Sequence, residues 1–228
     1  MNILALDTAL GACSAAVLRS GHVLAEEHAI MLRGHAEALA PMVQRVMRDA
    51  GLSFSALQSI AVTIGPGTFT GQRVGLAFAR ALGIALKIPV RGTTTLEAMA
   101  EEALATCTQA EWAIVTADAK RNEIYLSAIG ADGRMLISPQ LTPVADVPAM
   151  ITAIAGKSGS SLVLAGTGAA MIKPLLEQDG MDAKDSGIRQ PKARYVAASA
   201  ARRPRPEGAK PLYLRPPDAR LPGSRRDD

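Results

Sequence analysis

The chain has 228 residues and 48% hydrophobic content, enough for one large domain or two small ones around a full core. Its formal net charge of +4 sits at the end: from Ala201 to Asp228 eight basic residues face four acids, and the rest is neutral. Aromatics at 3%, two cysteines and no apolar run of transmembrane length argue against a basic-aromatic RNA surface, a disulfide scaffold and a membrane span.

MNILALDTA lacks the basic region and cleavage pattern of a signal peptide, so a cytoplasmic protein is expected. Residues 2–6 form a first strand ending at Asp7-Thr8, Cys13–Leu18 a second and His22–Ala29 a third. Asp7 can cap its own turn, or work beside magnesium and phosphate as the acid at this place does in actin-like and sugar-kinase-like ATPases. Helical spacing over His35–Ala50 puts Ala36, Leu39, Ala40, Val43, Val46, Met47 and Ala50 on a core face. Ala38 and Met42 add a flanking strip, and Pro41 should bend the helix. A short helical turn follows at Ser53–Leu57.

Ile60–Ile64 is a buried strand broken by Gly65-Pro66-Gly67, and Thr68 or Thr70 can cap the helix that runs to Leu86. Glycine costs about 1 kcal/mol inside a helix, so Gly71, Gly75 and Gly83 imply close approach of another backbone, in this chain or a second one. The spacing matches neither a P-loop nor a dinucleotide fingerprint. Glycine amides and Arg73 could hold an anion, or the loop is simply a tight turn. Pro89-Val90 opens a short strand, and Thr95 caps a helix to about Cys107.

The pattern then restarts. Trp112–Thr116 ends at Asp118, Glu123–Ile129 is its hairpin partner, and Asp132-Gly133 turns into Met135–Ile137. A helix over Val144–Ala155, a strand at Leu162–Ala165, Gly166-Thr167-Gly168, and a helix over Ala169–Glu177 follow. Asp118 stands to this half as Asp7 to the first. Two halves opening alike predict an internally duplicated α/β fold, the second having lost most of its helices. Domains are therefore expected at 1–108 and 109–203. Tyr195–Arg203 is a last helix, and 204–228 is a basic, proline-rich extension packing back on the first half. Cys13 and Cys107 lack metal spacing, and His22, His28 and His35 read as surface or capping residues. No metal and no cofactor is expected.

The segments MNILALDTALGACSAAVL, GPGTFTGQRVGLAFARALG, DAKRNEIYLS, LAGTGA and PLYLRPPDARLPG together resemble the bacterial TsaB family, formerly YeaZ, of the actin-like ATPase superfamily. The resemblance implies an actin-like, ribonuclease H-like fold with two βββαβα-type halves, the second reduced. It implies a subunit of the machinery that makes N6-threonylcarbamoyladenosine in tRNAs reading codons that begin with A. Catalysis would lie in a paralogue, TsaD, whose metal sits on an H-x-x-x-H helix. The matching helix here, Thr93 to Cys107, contains no histidine. No nucleophile-base pair or zinc motif of a protease is visible either.

The family dimerises with TsaD through the first two helices. That assigns Ala38, Met42, Arg45, Gly71, Arg73, Val74, Gly75, Phe78, Ala79 and Leu82 to a partner interface. TsaE would dock on the heterodimer, tRNA would be met mainly through the complex, and the isolated chain could pair with itself. Asp7, Thr8, Gly65, Gly67, Asp118, Gly166 and Gly168 would be a vestigial nucleotide or phosphate site. Two other readings stay open: a phosphotransferase using Asp7 and Asp118, and a homodimeric RNA-binding module using the basic tail.

Overall fold

The computed structural model describes residues 1–155, 161–202 and 209–215. The first half runs β1 (Asn2–Asp7), β2 (Ala12–Arg19), β3 (His22–Ile30), α1 (His35–Asp49), β4 (Ser59–Thr63), α2 (Phe69–Leu86), β5 (Val90–Thr93) and α3 (Thr95–Thr106). The second repeats that order as β6 (Trp112–Lys120), β7 (Glu123–Gly130), β8 (Met135–Pro143), α4 (Val147–Ala155), β9 (Leu162–Ala165), α5 (Ala169–Gln178), β10 (Ala183–Asp185) and α6 (Ala193–Arg202). The sheets are β3-β2-β1-β4-β5 and β10-β9-β6-β7-β8. In each, the hairpin pairs are antiparallel and the two later strands join in parallel.

The second half therefore keeps three helices and was expected to lose most of them. They are shorter: 9, 10 and 10 residues against 15, 18 and 12. The strand β10 was not anticipated, because three residues, AKD, carry no period of their own. Strand β8 runs on to Pro143, well beyond the Ile137 expected.

Central strands are buried on both faces, and the two-residue period sorts their side chains between two helix layers. Leu4 and Leu6 of β1 face the core built with α1 and α2, while Ile3 and Ala5 face Val196, Ala197 and Ala200 of α6. In β6, Ile114 packs with α4 and α5, while Ala113, Val115 and Ala117 meet Leu96, Met99 and Ala103 of α3. Each half thus lends its last helix to the other half's sheet. Alanines dominate these exchanged faces, and their small size lets helix and sheet approach closely. Full burial of one leucine stabilises by about 1.5–3 kcal/mol, so the exchange binds the halves firmly.

Helix α3 begins with a capping box on Thr94, not on Thr95 as expected. Thr94 Oγ1 accepts the Glu97 amide at 3.0 Å, and Glu97 Oε2 accepts the Thr94 amide at 2.7 Å. Pro41 is accommodated on the exposed side of α1. No helix among the described residues is long and apolar enough to cross a membrane.

Candidate functional site

The residues expected to hold a phosphate divide into two groups. The first gathers where β1 ends. Asp7 is fully buried; its Oδ1 accepts the Thr63 hydroxyl at 2.6 Å and the Ala9 amide at 3.2 Å. Burial pushes its carboxyl up to about 7 from an ordinary 3.8, against the lowering effect of those two bonds. Thr8 Oγ1 donates to the Gly71 carbonyl at 2.6 Å and accepts the Gly75 amide at 3.0 Å. The loop from Gly65 to Gly67 is packed against its own chain. A Cβ on Gly67 would overlap the Ala9 carbonyl, and one on Gly65, at φ +104°, would overlap Gln72 and the Leu212 carbonyl.

Two amides at the start of α2 are also engaged. The Thr68 amide donates to Ala9 O at 2.8 Å, and Thr68 Oγ1 caps the helix by accepting the Gly71 amide at 3.1 Å. Asp7 Oδ2 is buried without a hydrogen-bond partner, but the loop that would receive a phosphate is filled by protein, so the arrangement as it stands does not fit a magnesium-phosphate group.

The second group gathers at the ends of β6 and β9. Gly166 and Gly168 pack on Thr116, and the Asp118 amide donates to Thr167 Oγ1 at 3.0 Å. The Asp118 side chain turns outward to an ion pair with Lys120, whose hydrogen bond holds the carboxyl below its usual range. Asp7 and Asp118 therefore occupy unlike environments and share no bonding partner, contrary to their equivalence by sequence position. Cys13 is no nucleophile either, since burial, then the charges of Asp7 and Glu27, push its thiol up to about 12.

The expected partner interface needs correction. Met42 and Ala79 are core residues. A Cβ on Gly71 would overlap the Thr8 carbonyl, one on Gly75 would lie 2.7 Å from Thr8 Oγ1, and one on Gly83 would overlap Val90. The small stripe of α2 thus receives the β1 turn and β5 of the same chain. Ala38, Val74, Phe78 and Leu82 are half-buried against the same core. Arg45 is exposed and forks onto Glu27 of β3 at 2.9 and 2.7 Å. Ala36 and Ala40, assigned to the core by spacing, face solvent with Pro41, because α1 lies on the sheet one strip round from the expected face.

The outer ridge of α2 is Phe69, Arg73, Ala77, Ala81 and Ile84, all exposed. Phe69 is 60% and Ile84 79% exposed. The Arg73 guanidinium lies 3.4 Å over the Phe69 ring, and its Nε donates to Tyr213 Oη at 2.9 Å. Tyr213 belongs to a strap, residues 209–215, laid along α2. Leu212 N donates to Ile64 O at 2.8 Å, Arg80 donates twice to Ala209 O, and Arg215 reaches Glu123 in the other half. Positions 204–208 and 216–228 of the expected extension lie outside the described residues. Phe69 and Tyr213 were missed as site residues, although each stands inside a segment that carries the family resemblance.

A family model described as TsaD, tRNA N6-adenosine threonylcarbamoyltransferase, matches residues 29–203. The Escherichia coli tRNA threonylcarbamoyladenosine biosynthesis protein TsaB is 29% identical over 94% of this chain and 95% of its own. A solved YeaZ from Pseudomonas aeruginosa is 30% identical, covers 93% of this chain and 99% of its own, and superposes with a TM-score of 0.76. The chain belongs to the TsaB/YeaZ family. An uncharacterized Mycobacterium tuberculosis protein, Rv3421c, is 34% identical over 96% of this chain and 93% of its own. A ROK hexokinase from Thermus thermophilus, at 15% identity and TM-score 0.52, shares the fold alone, which is the actin-like one.

Proposed function

We propose that this TsaB/YeaZ-family chain is a non-catalytic subunit that binds and activates a TsaD-type threonylcarbamoyltransferase in the cytoplasm. In this reading it supports formation of N6-threonylcarbamoyladenosine, meets tRNA mainly through the complex, and offers the heterodimer on which TsaE docks. The observation that carries it is the surface of α1 and α2. Phe69, Ala77, Ala81 and Ile84 on α2, with Ala36, Ala40 and Pro41 on α1, leave an apolar, small-residue face on one side of the first half. Such a face suits close packing of partner helices. The loop filled by Ala9, Gln72 and Leu212 supports the non-catalytic part, as does a Thr93–Cys107 segment without histidine. The interface carried forward is therefore this exposed ridge, Arg73 within it and Arg45 of α1 beside it, in place of the glycine stripe.

The test mixes the chain with TsaD from its own organism and follows complex mass by light scattering and tRNA modification by mass spectrometry. Ile84→Asp and Ala81→Arg alter exposed positions, so their thermal midpoints should match the parent. Both should abolish the complex and the stimulated modification. Normal association by both variants would overturn the interface. Failure of the parent to associate, with ATP turnover by this chain alone, would overturn the subunit reading and restore the phosphotransferase.

A further inference from the structure

A cleft of about 450 Å³ opens where β3, the later turns of α3 and the segment between β10 and α6 meet. It shares no residue with the Asp7 turn or with the glycine loops. His28 and Ile30 come from β3, Glu102 from α3, and Ile188, Gln190 and Lys192 from the β10–α6 segment. That segment is fixed at both ends of the cleft. Gln190 Oε1 accepts the Gly11 amide at 2.8 Å, and Lys192 Nζ bonds Glu102 Oε1.

Two polar atoms in the wall are buried without a hydrogen-bond partner, Glu102 Oε2 and His28 Nε2. Glu102 as a residue is only 3% exposed. A buried carboxylate oxygen is costly to leave unmet, and native structures seldom do so without a reason. The ion pair with Lys192 ties α3 to the chain entering α6, but that duty uses Oε1 alone. Burial and the nearby Lys192 charge hold the His28 imidazole below its ordinary range, which keeps it a neutral hydrogen-bonding group. The remaining charges are already matched: Arg189 forks onto Asp185 at 2.9 and 2.6 Å, and Arg194 onto Glu26.

We propose that this cleft binds a small zwitterion of the α-amino acid class, its ammonium on Glu102 Oε2 and its carboxylate on Lys192 Nζ and the His28 Nε2–H. A lone anion would meet the Glu102 carboxylate, and a lone cation would meet Lys192. A ligand carrying both charged groups on one carbon satisfies all three. Lys192 keeps two further N–H donors after its bond to Glu102, and its side chain is 43% exposed, so it can turn to a carboxylate. Ile30 and Ile188 supply an apolar wall for a side chain, and the volume exceeds that of a small amino acid. Selection should therefore rest on the α-amino and α-carboxyl groups and tolerate side chains of different length.

The experiment is an NMR titration of the full chain, read at the His28 imidazole, with L-alanine as probe. Propionate and ethylamine serve as its deaminated and decarboxylated counterparts. L-Alanine should give a saturable shift. Propionate and ethylamine should each bind about tenfold more weakly or worse, as should L-alanine to Glu102→Gln and Lys192→Met. Ile30→Trp, on an exposed edge position and away from both charges, should obstruct the cleft in a folded protein and suppress the shift even if the charge variants do not fold. No saturable shift in the parent overturns the proposal. So does propionate or ethylamine binding as well as L-alanine, or an unaltered titration in Ile30→Trp.

Discussion

Gly75→Ala separates two accounts of the small stripe on α2 by the sign of its effect. Helix propensity alone predicts stabilisation of about 1 kcal/mol, since alanine replaces glycine in a helix interior. The structure predicts the opposite. The new Cβ would stand 2.7 Å from Thr8 Oγ1, a branched, buried side chain that cannot swing aside freely. Moving it strains its bonds to the Gly71 carbonyl at 2.6 Å and from the Gly75 amide at 3.0 Å. Overpacking costs about 1–3 kcal/mol and an unmet buried polar group about 1–3 kcal/mol. After the propensity gain, the net loss is about 1–5 kcal/mol. Urea unfolding followed by circular dichroism measures it. Thr8→Ala removes the obstructing oxygen, so the double variant should be less destabilised than the sum of the two singles by at least about 1 kcal/mol. Stabilisation by Gly75→Ala, or strict additivity with Thr8→Ala, would refute the close approach. A bulkier residue at Gly75 would report folding and say nothing about a partner.

Asp7→Asn should remove a pH dependence. The folded carboxyl titrates at about 7 against 3.8 ordinarily, a difference worth on the order of 4 kcal/mol. Because the folded value is the higher, the native state keeps a proton that the unfolded chain releases. This contribution is complete below about pH 4 and is lost as pH rises to about 7. Asparagine has no such proton, so unfolding free energies of parent and variant should diverge across that window in the variant's favour; parallel curves would refute the assignment. Thr94→Ala breaks the capping box that starts α3 and should cost about 1–2 kcal/mol. Glu97→Gln, which keeps a side-chain acceptor for the Thr94 amide, should cost less, both variants being read by thermal unfolding.

Much of the fold was legible in the sequence. Among the described residues, alternating or unbroken apolar runs located nine of the ten strands, and helical spacing with Thr, Gly and Pro signals located the six helices. The repeated strand–acid–hairpin order disclosed the duplication. The segments around GPGTFTG and DAKRNEIY carried the family. These features are local, because side-chain periodicity and turn chemistry act over a few residues.

What faces each surface was decided only in three dimensions. Spacing showed that α2 has a small stripe, but Gly71 and Gly75 meet Thr8, more than sixty residues earlier in the chain. The exchange of α3 and α6 between sheets, the strap from Leu212 to Ile64, and the meeting of His28, Glu102 and Lys192 join equally distant segments. The sequence by itself determined which residues are small, apolar or charged along each element. The tertiary structure decided their opposite numbers, because burial and pairing depend on which distant surface arrives there.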